Sequence, residues 1–220
     1  MDNTPFNFVA RKNEFIEYII NFVYNHLCKW RDVSIRPDEE SEKQLNSDFP
    51  KFLTAHAHAD EILINFFPEE PQGNGRTVDL AVCFDNVEYY NTVITVFECK
   101  RLSVDIKGDR KDEYVTGHKD ITGGIQRFKL EKHGKNHKIV GMIGYIQTGK
   151  SSEWLGTINK CIGNLYDKID ENCLCWTKNE KLKTIENDEK NGRYHAKSIH
   201  PRITESHITI HHLWVDMQKN

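Results

Sequence analysis

Two apolar runs, TVDLAVCF over Thr77–Phe84 and NTVITVFECK over Asn91–Lys100, decide how this chain is read. Both are rich in Val, Ile and Phe, and a short polar connection separates them, so they predict an antiparallel hairpin. Side chains alternate along an extended strand. Glu98 and Lys100 therefore share one face, while Phe97 and Cys99 share the other. Pairing of the two strands brings Asp79 beside Glu98. Two acids and a lysine thus converge at the end of strands that are otherwise apolar, and the carboxylates are hard oxygen donors of the kind that Mg²⁺ prefers.

Upstream, 12–30 (KNEFIEYIINFVYNHLCKW) carries Phe15, Ile19, Phe22, Val23 and Leu27 at helical spacing. That helix serves either the core or a contact between two copies, and the pattern suits both. Residues 39–58 open with acids that suit a helix N-terminus, then place Leu45, Phe49, Phe52 and Leu53 on one stripe, with Pro50 as a kink or a division. Residues 61–67 read as a short strand or a helix end, followed by a loop marked by Pro68, Pro71, Gly73 and Gly75.

Downstream, a charged loop from Ser103 to about Asp120 leads to a helix over ITGGIQRFKLEKHG and a strand over 138–147. A further helix with Ser152 as N-cap follows, with Leu155, Ile158, Ile162, Leu165 and Ile169 along one side. The polar stretch 177–206 has no clear element, and HITIHHLWVDM forms a last strand that closes the sheet. The order of elements predicts one α/β domain spanning 1–220, a mixed central sheet flanked by helices.

Composition narrows the function classes. The chain has 220 residues, 38% hydrophobic and 29% charged, enough for one core with a solvated surface. No apolar run reaches 18 residues, and the N-terminus has no basic region followed by an apolar block, so neither a membrane span nor secretion is expected. Six cysteines without a CxxC pair point to a reducing cytoplasm. The net charge of -3 hides an uneven split: 7 Lys/Arg against 13 Asp/Glu over residues 1–72, and 11 against 6 over 100–138. The basic middle suits phosphates, with Arg101, Arg127 and Lys129 as candidate nucleic-acid contacts.

Asp79 in TVDLAV, followed by Glu98-Cys99-Lys100 at the end of an apolar strand, resembles the PD-(D/E)xK nuclease superfamily with its restriction-endonuclease-like fold. An acidic helix before the pair, and a helix and strand after it, match that family's α-β-β-α-β core over about 39–147. Val78 stands where the family often has proline. ECKRLS, GGIQRF, GMIGYI, YHAKSIHPR and HHLWVD also resemble small standalone nucleases of bacterial anti-phage defence. The resemblance implies an Mg²⁺-dependent deoxyribonuclease, with Mn²⁺ as a substitute. Asp79, Glu98 and the backbone carbonyl of Cys99 would hold the ion, with Glu42 as the helical acid and Glu39 and Glu40 as its rivals. Lys100 would orient the attacking water, and Gln126 and Arg127 would stand beside the scissile phosphate. DNA, a second copy of the chain and a regulatory ATPase or sensor are the partners it implies. The first alternative is a catalytically silent module of the same fold that binds DNA or protein.

Two other patterns compete. GYIQTGKS, Gly144–Ser151, matches the phosphate-loop pattern of NTPases after a strand and before a helix, although Tyr145 and Ile146 continue the strand. His56 with His58, His133 with His137, and His211 with His212 suggest a transition-metal site only weakly: Gly134 interrupts the one helical pair, and no HExxH acid accompanies it.

Overall fold

The computed structural model describes residues 5–33, 41–73, 75–89, 92–103, 109–117, 123–166, 174–204 and 206–218. Four helices, α1 (Pro5–Arg31), α2 (Glu42–Ala59), α3 (Gly124–Lys129) and α4 (Ser151–Leu165), flank a seven-stranded sheet. Its strands are β1 (Ile64–Gly73), β2 (Arg76–Phe84), β3 (Val93–Leu102), β4 (Ile139–Ile146), β5 (Lys183–Asp188), β6 (Arg193–Pro201) and β7 (His207–Asp216). The spatial order is β1-β2-β3-β4-β7-β6-β5. β3–β4 and β4–β7 are parallel, and the other neighbours are antiparallel. The fold is therefore mixed α/β, as the alternation of strand and helix patterns predicts.

Each face of the sheet has its own apolar layer. Leu80, Val82, Phe97, Cys99, Ile143, Tyr145 and Leu213 pack against Ile19, Ile20, Val23, Leu27 and Trp30 of α1 and Leu45, Phe49 and Leu53 of α2. Ala81, Val96, Val140, Met142, Ile210 and Trp214 face Ile125 and Phe128 of α3 and Trp154, Ile158 and Ile162 of α4. Burial of this alternating set on both faces is what drives the sheet between its helices.

Several elements depart from the sequence reading. β1 runs on to Gly73 through Pro68 and Pro71, because it is an edge strand, where a missing N–H costs little. α2 continues through Pro50. α3 has only six residues, and its leading Ile121 and Thr122 lie outside the described residues. Lys150, not Ser152, caps α4, and Ile169 also lies outside the described residues. The polar stretch 177–206 holds β5 and β6, so β7 lies inside the sheet, between β4 and β6, and β5 forms the edge.

Candidate active site

β2 and β3 separate where the site begins. Their backbone pairing extends to Leu80↔Phe97. On the opposite side of β2, Glu69 takes a positive φ of 55° between the pairs Pro68↔Leu80 and Glu70↔Val78, so β1 is irregular at the level of Asp79. Beyond Phe97, three backbone groups of β3 that a partner strand would satisfy are satisfied by side chains instead. Cys99 N–H donates to Asp79 Oδ2 at 2.8 Å, Cys99 O accepts from Lys100 Nζ at 3.0 Å, and Arg101 N–H donates to Glu42 Oε2 at 3.1 Å. Full pairing of backbone polar groups is the rule for protein interiors, and here it pulls three charged side chains into one gap.

Glu42 is delivered by the start of α2. Ser41 caps that helix reciprocally: its Oγ accepts the Gln44 N–H at 3.3 Å, and Gln44 Oε1 accepts the Ser41 N–H at 2.9 Å. Glu42 then lies in the first turn, where the helix dipole favours a carboxylate. The rivals Glu39 and Glu40 lie outside the described residues.

Lys100 is the hub. Its ammonium is 3.0 Å from Glu98 Oε1, 3.7 Å from Asp79 Oδ2 and 3.8 Å from Glu42 Oε1, besides the Cys99 carbonyl. Burial opposes its charge, but Glu98, Asp79 and Glu42 together raise its pKa above the ordinary lysine value. Glu98 is fully buried, and both its oxygens are engaged: Oε1 by Lys100 and by Arg127 Nη1 at 2.6 Å, Oε2 by His133 Nδ1 at 2.9 Å. Burial pushes its pKa up, yet Lys100, His133 and Arg127 outweigh that and hold it down to about 2. Asp79 behaves in the opposite way: burial first, and then the Glu98 charge, raise it to about 7. Two adjacent acids pushed in opposite directions are a recurrent feature of reactive centres.

Asp79, Glu98, Lys100, Glu42, Arg127 and the Cys99 carbonyl are thus together. Arg101 joins them through its backbone. Gln126 is buried, and its Oε1 accepts the Gly117 N–H at 3.2 Å, toward the 3-10 turn Asp109–Tyr114. Lys129 is a correction: it has no exposed surface and its ammonium is paired with Glu180, so it cannot touch a nucleic acid. His133, which the sequence reading set aside, is the added member. It does not share a helix with His137, since α3 ends at Lys129 and Gly134 turns the chain with φ 61°.

GYIQTGKS does not form a phosphate loop. Gly144 lies within β4, paired with Lys100 and Trp214, where a Cβ would come within 2.4 Å of the indole. Glu153 Oε2 accepts the Lys150 N–H at 3.0 Å, which puts a carboxylate where a phosphate would have to sit. Comparison of the chain with protein-family models, curated proteins and solved structures returned no match.

Proposed function

We propose that the chain is an Mg²⁺-dependent nuclease that hydrolyses phosphodiester bonds of DNA, acting in the cytoplasm as an effector of bacterial anti-phage defence. The observation that carries this reading is the ring of oxygens around one ammonium: Glu98 Oε1, Cys99 O, Asp79 Oδ2 and Glu42 Oε1 all lie within 3.8 Å of Lys100 Nζ. Oxygens that converge on a cation of the chain's own are a donor set fit for a hard divalent ion. Among the described residues no three His, Cys, Asp or Glu side chains are already grouped for an ion, and in the proposed loaded site the ion would take the place that the Lys100 ammonium now holds among these oxygens.

Asp79, Glu42, Glu98 and the Cys99 carbonyl would hold the metal, with Mn²⁺ as a substitute for Mg²⁺. When bound, it would supply a water nucleophile at neutral pH and charge stabilisation on the phosphate. Lys100, displaced toward the substrate, would orient the attacking water and neutralise the pentavalent phosphorus centre. Arg127, a quarter exposed, would present its remaining guanidinium donors to a phosphate oxygen while holding Glu98. The site lies beside the C-terminal end of β3, parallel to β4, the end at which open α/β sheets bind their ligands. A homodimer and control by an ATPase or sensor protein belong to the same proposal, since cutting both strands favours two centres and a free nuclease endangers its host; the apolar face of α1 is taken up by the core and does not supply the dimer contact.

A second reading has one observation behind it. Both Glu98 oxygens are engaged by Lys100, Arg127 and His133, which suits a silent module that binds DNA or a protein with the metal position closed by Lys100. Incubation of supercoiled plasmid, linear duplex and single-stranded RNA with the protein in Mg²⁺, Mn²⁺ or EDTA separates the two. Metal-dependent breakage of DNA is the expected result. Retention of DNA on the protein without breakage in either metal would establish the silent module.

A further inference from the structure

Arg127 reaches Glu98 from α3, a helix of six residues whose N-cap, Gly123, gives no side-chain bond. A helix this short does not support itself in water, so its position is set by what grips it. The grip is at both ends. At the leading end, Gln126 N–H donates to Val115 O at 3.0 Å, and a Cβ on Gly124 would lie 3.2 Å from Tyr114 O. At the trailing end, Ile203 N–H donates to Lys129 O at 3.2 Å, and the buried Lys129 ammonium donates to Cys175 O at 3.0 Å and to Glu180, over the Trp176 ring at 4.4 Å.

From Glu180 a continuous chain of buried hydrogen bonds leads back to the leading end. His200 Nδ1 is 2.7 Å from Glu180 Oε2, and Ser198 Oγ is 2.7 Å from both His200 Nε2 and His212 Nε2. His212 Nδ1 is 2.9 Å from Tyr114 OH, which accepts the Trp214 Nε1–H at 2.9 Å. Burial lowers the pKa of both imidazoles, for His200 against the opposing pull of Glu180. Hydrogen positions follow from the two ends, because an ionised carboxylate only accepts and an indole N–H only donates. His200 carries its proton on Nδ1 and gives it to Glu180. Ser198 donates to the bare Nε2 of His200 and accepts from the protonated Nε2 of His212, and Tyr114 donates to the bare Nδ1 of His212. Each proton of the chain is donated to the next member, in one direction.

We infer that Lys129 and Glu180, tied through His200, Ser198 and His212 to Tyr114, are positioning residues that fix α3 and thereby hold Arg127 against Glu98. The inference rests on the reading of the Lys100 cluster as the reactive site. It makes β6 and β7, which lie outside the core predicted from the sequence, part of the site's support.

The test uses the full chain and ¹⁵N NMR of the Arg127 guanidinium, assigned through Arg127→Lys. In the wild type its terminal nitrogens are expected to give separate, slowly exchanging signals. The double variant Lys129→Met/Glu180→Gln removes both buried charges at once, leaving neither unpaired. It is expected to stay folded, to collapse those signals to a single averaged one, and to lower kcat for DNA about tenfold with KM within twofold of wild type. Ser198→Ala, which removes one oxygen, moves the Arg127 signals in the same direction and serves alone if the double variant does not fold. Wild-type Arg127 signals in a folded double variant, or in Ser198→Ala, overturn the inference. If the wild type cleaves nothing, the nuclease reading fails, and the Arg127 signals still decide this one.

Discussion

Replacing Lys129 alone by methionine leaves Glu180 as a buried carboxylate without its cation. Both groups are almost fully inaccessible, at 0% and 1% exposure, so water cannot take over for the missing partner. Breaking one side of a buried ion pair costs about 3–5 kcal/mol. For a chain of this length that corresponds to a fall in Tm of about 10 °C. Removing the second charge, as in Lys129→Met/Glu180→Gln, should restore most of the loss, because the amide oxygen introduced by Glu180→Gln would still accept from His200 without carrying a charge. The dependence on pH has a definite sign. Burial pushes the Glu180 pKa up, but the His200 hydrogen bond and the Lys129 ammonium carry it below the usual carboxylate range. A carboxylate lowered in the fold stabilises at pH above its unfolded value of 4.5, and that contribution disappears as pH falls through the native pKa. The gap between wild type and Lys129→Met is therefore full at pH 7 and narrows as pH falls below 4.5. Urea and thermal unfolding at pH 7 and pH 3.5 measure it. A loss below about 1 kcal/mol in Lys129→Met, or a double variant no more stable than the single one, would refute the reasoning.

Three further outcomes follow from the same geometry. Asp79, raised to about 7, destabilises the metal-free fold progressively between pH 4 and pH 7, so Asp79→Asn should be more stable than wild type in EDTA at pH 8 by on the order of 2 kcal/mol and no more stable below pH 4, by chemical denaturation. Lys100→Met removes the ammonium that now neutralises the acids, so calorimetric titration should show Mn²⁺ binding about tenfold tighter than in wild type, although the variant is inactive. Gly141→Ala would put a Cβ 2.0 Å from the Phe97 ring between β3 and β4, at a cost of about 2 kcal/mol read as a lower Tm.

The hairpin of β2 and β3 and the meeting of Asp79, Glu98 and Lys100 were legible because alternating apolar residues fix both the strands and the faces that their exceptions share. α2 and Glu42 were legible from the helical stripe that follows. β1 was cut short by its prolines, which signal a loop everywhere except on an edge strand such as this one. β5 and β6 were hidden for the opposite reason. β5 is exposed at the sheet edge, and the inward residues of β6 include His195, Ser198 and His200, whose burial is made possible only by partners far along the chain. His133 meets Glu98 across 35 positions from a turn, and no local pattern marks such a contact. Lys129 misled because a lysine on a basic stretch ordinarily faces water, and the Glu180 that buries it lies 51 positions away.

The most direct measurement is the rate at which supercoiled plasmid is nicked in Mg²⁺ and in EDTA by the wild type, Lys100→Ala and Lys150→Ala. Nicking that requires Mg²⁺, is abolished in Lys100→Ala and is unchanged in Lys150→Ala is the predicted result. Nicking that survives in Lys100→Ala, or that proceeds equally in EDTA, would contradict the assignment of the reactive centre to the Asp79, Glu98 and Lys100 cluster.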